Sequence, residues 1–146
     1  MADAQEVETV SLPLRVSLEG WSNEAAEMLG DLFDPRQPFG VSDLGLLVEA
    51  GDALLFAVYA PNGPLAGYAV ARFEPTPHGA VFVVMAAKAK CLAGVNYIQH
   101  LTPVWEELAR ASGCRFMRFH SARKGMGRAL KPHGFEETET VYTKEL

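Results

Sequence analysis

Residues Ala53–Ala86 read ALLFAVYAPNGPLAGYAVARFEPTPHGAVFVVMA. Three apolar runs, Ala53–Ala60, Leu65–Phe73 and Ala80–Ala86, are separated by Pro61-Asn62-Gly63-Pro64 and by Glu74-Pro75-Thr76-Pro77-His78-Gly79. Val, Phe and Tyr fill the runs, and the proline- and glycine-rich clusters between them reverse the chain. The stretch therefore predicts three neighbouring antiparallel strands. Ala53–Ala71 carries no formal charge, as a membrane span would, but Pro61, Gly63 and Pro64 break it in the middle.

On the N-terminal side, Val10, Leu12, Leu14, Val16 and Leu18 alternate with polar residues and Pro13, which predicts a strand over Val7–Leu18, with Pro13 marking an edge or an irregularity. Ser22 is an N-cap candidate for a helix running through Phe33, with Glu24 and Glu27 near its positive end and Asp34-Pro35 stopping it. Ser42 is the corresponding cap for a second short helix, whose Leu44, Leu47 and Val48 share a face and which ends near Gly51.

On the C-terminal side, Ile98, Leu101, Trp105, Leu108 and Ala109 recur at three or four, a helical stripe over Val95–Ser112 in which Pro103 should kink or restart the helix. Cys114–Phe119 alternates as a strand, with Cys114, Phe116 and Arg118 on one side and Arg115, Met117 and Phe119 on the other. Lys124–Lys131 has helical composition until Pro132, and Thr138–Lys144 reads as a last strand.

The order is β-α-α-β-β-β-α-β-α-β, without internal repeat or dividing linker, and it predicts one domain over residues 1–146 with helices on each side of a mixed sheet. A chain of 146 residues with 49% hydrophobic residues can bury its own core. A net charge of −5 argues against a protein that holds nucleic acid by neutralising phosphates. Cys91 and Cys114 form no CxxC pair and are read as small apolar residues. The first ten residues are acidic without a long apolar run, so no signal peptide is expected and the cytoplasm is the expected location.

The element order, together with GCRFMRFHSARKGMGRALKPHGFEETETVYTKEL at the C-terminus, resembles the GNAT superfamily of acetyl-coenzyme A-dependent N-acetyltransferases. Within it, the chain looks like small bacteriophage-encoded members, which implies a phage origin and a host-cell cytoplasmic or virion setting. The resemblance implies an α+β fold with a central mixed, mostly antiparallel sheet of six to seven strands and about four helices on both faces. It implies acetyl-coenzyme A as the acyl donor and an amine of a small molecule or protein as the acceptor. The strand carrying Val83, Val84 and Met85 would meet the pantetheine arm, and Lys88, Lys90, Ala93, Gly94 and Val95 would hold the phosphates. The loop departs from the usual glycine-rich pattern but keeps Gly94 at a helix entrance, where exposed N–H groups receive anions. Phe33, Arg36 and Phe39 would line the acceptor groove.

Acyl transfer to an ammonium needs a base and often an acid for the departing thiolate. The tyrosine that many relatives place four residues before the glycine of the last helix is here Leu130, and an asparagine common earlier in that motif is met by Arg123. Glu74 and His78, in the turn before the third strand of the meander, are the local base candidates. Arg115, Arg118, Arg123, Lys124, Arg128 and Lys131 form a basic cluster in an acidic chain; Arg123 and Arg128 are its candidates for coenzyme phosphates, while alternating arginines on an edge strand would also guard it against edge pairing. The alternative function is a catalytically inactive fold member that binds virion or host proteins through this cluster. His78, His100, His120 and His133 show no metal-ligand spacing, and Ser121 lies in no nucleophile elbow, so neither a metal nor a serine hydrolase site is expected.

Overall fold

The computed structural model describes residues 14–61, 63–89, 97–120 and 126–146. Five strands, β1 (Arg15–Glu19), β2 (Leu54–Tyr59), β3 (Leu65–Glu74), β4 (Ala80–Ala89) and β5 (Cys114–Phe119), form one sheet in the order β1-β2-β3-β4-β5. Every neighbouring pair is antiparallel except β4 and β5, which run parallel because helix α3 (Tyr97–Ala111) carries the chain back between them.

Both faces of the sheet are covered, which is why the central strands read as unbroken apolar runs rather than alternating ones. On one face α1 (Asn23–Gly30) and α2 (Val41–Glu49) bury Ala25, Leu29 and Leu44 against Leu55, Ala57, Tyr68, Val70 and Ala86. On the other, α3 buries Leu101, Trp105 and Ala109 against Phe56, Ala69, Phe82 and Val84. Ser22 caps α1 as expected, accepting from the Ala25 amide at 3.1 Å, but the helix stops at Gly30 rather than Phe33. The cap of α2 is not Ser42: the cap position is Gly40, two residues earlier, and the Asp43 carboxylate accepts from the Gly40 amide at 2.8 Å. A carboxylate in the first turn also suits the positive end of a helix dipole. α3 continues through Pro103, and beside it the buried Thr102 hydroxyl donates to the Ile98 carbonyl at 2.6 Å.

Two bulges redirect the strands. In β4, Val70 pairs with Ala86 while Ala71 pairs with Val84, so Met85 is an extra residue. Ala86 consequently joins the core under α1, whereas Val84 joins the core under α3. In β5, Ala80 pairs with Cys114 and Val81 with Phe116, leaving Arg115 extra. Cys114 therefore shares the α3 side with Met117 and Phe119 rather than with Phe116 and Arg118.

After β5 come a short helix, α4 (Met126–Leu130), and a 3₁₀ turn (Lys131–His133) closed by Gly134 at φ 88°, the left-handed ending expected there. The remaining correction concerns Thr138–Lys144: this segment is exposed and forms no strand, so the described sheet has five strands rather than six to seven. The expected strand residues Val7–Leu12 lie outside the described residues.

Gly67 sets how closely β3 and β4 approach. A Cβ there would lie 2.2 Å from the Lys88 carbonyl oxygen and 2.6 Å from Ala89 Cα, both rigid backbone of β4. Gly67→Ala is expected to destabilise the protein by about 1–3 kcal/mol, since the strands must part to admit even a methyl group. Urea denaturation would measure this, and an unchanged midpoint would show that β4 yields freely at that end.

Candidate functional site

β4 outruns its partner. The β4–β5 ladder ends at the pair Val84–Phe119, closed by a hydrogen bond from the His120 amide to the Val84 carbonyl at 2.9 Å. Beyond it, Ala86–Ala89 pairs with β3 on one side, with Met85 bulged between, and among the described residues nothing pairs with Met85–Ala89 on the other side. The bulge at Met85 explains the parting, because an extra residue bends its strand and increases its twist. The result is a fork between two parallel strands, one arm of which is a free edge about 17 Å long at the usual rise of a strand. Along such an edge every second residue turns its N–H and C=O outward, so the fork accepts an extended molecule that carries amides of its own.

Val83 and Val84, expected to meet such a molecule, lie just before the fork, fully buried and paired with both neighbouring strands. Met85 is the first residue of the free edge and is half-buried. Lys88 was expected in the loop before the long helix, yet β4 continues through it to Ala89; its ammonium is ion-paired with Asp31, the C-cap residue of α1. Lys90, Ala93, Gly94, Val95 and Arg123 lie outside the described residues. Arg128 is exposed on α4.

Glu74 and His78 sit at the other end of β4. Glu74 pairs with Val81, and His78 is an exposed residue of the β3–β4 turn. The Arg72 guanidinium donates to the Glu74 carboxylate at 2.6 and 3.1 Å, and Arg118 stands 3.5 Å away. The hydrogen bonds from Arg72 hold the Glu74 carboxyl below its ordinary pKa, the opposite of what a proton acceptor near neutral pH requires. Tyr68, across from Lys88, donates its hydroxyl to Glu24 at 3.1 Å, and burial pushes its pKa up, so the phenol keeps its proton.

His120 carries no distinguishing sequence pattern. Its amide makes the last rung at the fork, its side chain is exposed, and its charge contributes to the lowered pKa of Glu74. Phe116 and Arg118 occupy the β5 side opposite α3, and strand alternation puts His120 on that same side. Leu130, at the position where many members of the resembled family carry tyrosine, is buried at 8% exposure. Of the acceptor-groove candidates, Phe33 and Phe39 stack at a tilt with centroids 6.0 Å apart, and Arg36 is bound to Asp34 at 2.7 Å. That guanidinium lowers Asp34 to a pKa of about 2.

A shallow cleft of about 380 Å³ lined by Leu18, Glu19, Trp21, Val48, Glu49 and Leu54 lies at the β1 edge, three strands away from β4. Among the described residues no group of three or more His, Cys, Asp or Glu side chains converges on one point, and no helix is long and apolar enough to cross a membrane.

No family model and no curated protein matches the sequence. Solved structures do match. A ribosomal-protein-alanine N-acetyltransferase from Brucella melitensis superposes with a TM-score of 0.65 at 16% identity, over 92% of this chain and 100% of its own. The aminoglycoside acetyltransferase AAC(6')-Iy, in complex with a bisubstrate analogue containing coenzyme A, gives 0.63 at 17% identity over 92% and 98%. A GNAT family acetyltransferase from Staphylococcus aureus gives 0.59 at 16% identity over 91% and 98%. At such identities the likeness establishes a shared fold, and it spans nearly the whole of each chain.

Proposed function

On this acetyltransferase fold, we propose that the protein binds acetyl-coenzyme A at the β4–β5 fork and transfers the acetyl group to an amine of a small molecule or a protein. The observation that carries this reading is the free edge Met85–Ala89 beginning where the ladder with β5 stops. A pantetheine arm is an extended chain with two amides, and a strand edge offers it hydrogen bonds without needing particular side chains. The thioester would then lie toward Met85 and the phosphates toward the entrance of α3, where Lys90 and Gly94 follow in the chain.

The proton inventory favours His120. An incoming ammonium must lose a proton before its nitrogen attacks the thioester carbonyl, and the sulfur that leaves must gain one. An imidazole at the fork can take the ammonium's proton and give it to the departing sulfur, while the second proton, lost from nitrogen as the tetrahedral adduct collapses to the amide, passes to solvent, so one proton is released per turnover. Glu74, engaged by Arg72, and His78, in the β3–β4 turn, are less suited to this route.

Isothermal titration with acetyl-coenzyme A and with coenzyme A is the direct test. Saturable binding with a micromolar Kd is expected for both, and no binding up to millimolar ligand would overturn the reading. The buried Leu130 favours the second reading, an inactive binder of virion or host proteins, because this chain lacks a tyrosine acid at that position. Absence of coenzyme binding would select it.

A further inference from the structure

α3 covers one side of the β4–β5 fork, so a second substrate reaches it from the other, the side on which Phe116, Arg118 and, by alternation, His120 project from β5. On that side Arg72 and Arg118 flank Val83 in register, and Glu74 and Phe116 flank Val81. Both valines are buried, but neither belongs to the core under α1 and α2. The arginines here differ in what they have left to offer. Arg72 is engaged with Glu74 through hydrogen bonds of 2.6 and 3.1 Å. Arg115 holds its guanidinium 5.4 Å from the centroid of the Phe116 ring, a cation–π contact. Arg118 stands 3.5 Å from Glu74, beyond the usual length of an N–H···O bond, and its side chain, 43% exposed, makes no hydrogen bond among the described residues. His120 follows two residues, about 7 Å, further along the strand toward the mouth of the fork.

Resting on the acetyl-transfer reading, we infer that the acceptor amine also carries a carboxylate, which Arg118 binds, and an apolar side chain, which packs on Phe116: a free amino acid of the phenylalanine or leucine kind. A guanidinium with unused N–H groups presents a planar fork that matches the two oxygens of a carboxylate. Two guanidiniums, Arg72 and Arg118, against the one carboxylate of Glu74 leave this part of the sheet positive, which suits an anion and repels a purely cationic amine. Phe116 is 48% exposed beside them, an apolar surface that loses water when a hydrocarbon side chain covers it. The order along β5 is the order the ligand needs. An amine beside His120 and a carboxylate at Arg118 lie within one small molecule, because the long arginine side chain spans the remaining distance.

Thiol release from acetyl-coenzyme A tests this with matched acceptors. Phenylalanine and leucine should be used with a kcat/KM about 10–100-fold above phenethylamine and isoamylamine, their decarboxylated counterparts, the range expected of a charge-assisted hydrogen bond. R118M should remove that preference, bringing each pair within about threefold, while coenzyme affinity is retained. R118K, which keeps the charge but not the fork, should restore only part of it. Coenzyme binding without any preference for the carboxylate, or a preference that survives R118M, would overturn the inference. Titration of phenylalanine into the protein without coenzyme separates the inference from the reading it rests on. Phenylalanine binding that R118M abolishes, in a protein that binds no coenzyme, would overturn acetyl transfer and uphold the Arg118 site. Binding of neither ligand would overturn both.

Discussion

A His120→Ala variant is expected to lose about 10²–10⁴ in turnover while binding coenzyme A as tightly as the parent, the ordinary contribution of one positioned acid–base group. The separation of effects follows from which part of the residue does what. The rung that closes the β4–β5 ladder is made by the backbone amide of His120, and alanine keeps that amide. The imidazole is exposed, so its removal opens no cavity and the free edge of Met85–Ala89 should be preserved. Loss should therefore fall on kcat rather than on coenzyme affinity. Titration calorimetry alongside a thioester-release assay distinguishes the outcomes. A variant with the parent's turnover would move the proton route to solvent.

Replacing Trp105 by alanine is expected to destabilise the protein by about 3–5 kcal/mol, the usual cost of emptying a large aromatic site. Trp105 is 1% exposed on α3 and belongs to the cluster with Phe82, Val84 and Leu101, so its removal undercuts the packing of α3 against β4 just before the fork. That loss is a large share of the roughly 5–15 kcal/mol that holds a typical domain together. Trp105→Phe should cost much less. The indole Nε1 is buried and has no hydrogen-bond partner among the described residues, so phenylalanine gives up volume but also removes a donor left unsatisfied. Urea denaturation of the two variants gives the comparison, and equal losses would show that the indole nitrogen is satisfied in solution.

The two faces of the fold differ in how openly the sequence declares them. The meander is visible in Ala53–Ala86 because turn residues interrupt apolar runs, and the Ser22 cap and the Gly134 ending are visible because each depends on one local residue. The bulge at Met85 is hidden for a physical reason: with both faces of β4 buried, an extra residue leaves no break in an apolar run. The bulge at Arg115 reverses the expected sides of β5 for the same kind of reason, since a single inserted residue changes parity without changing composition. Lys88 reads as a loop residue, yet β4 runs through it, and its ion-pair partner Asp31 is remote in sequence.

The candidate site is legible in the sequence only as an address. The resemblance pointed to the strand containing Met85, but where β5 leaves it depends on pairing between segments joined through α3, which no local pattern encodes. His120 is conspicuous only once it stands at the end of the ladder. The tail shows the opposite case, a segment with strand alternation that is exposed and forms no strand.

The single parallel connection also has a kinetic consequence. β1 to β4 join antiparallel neighbours, and β2, β3 and β4 are linked by short turns that close over little chain. β5 reaches β4 only after α3 has been laid down, at a greater cost in loop closure before any contact rewards it. Contact order therefore predicts that the hairpins form early and that α3 and β5 are added late. The rung between His120 and Val84, at the end of that late ladder, should accordingly open at a lower free energy than the hairpins that support it, which amide hydrogen exchange would show as weaker protection of His120 than of the β2 and β3 amides.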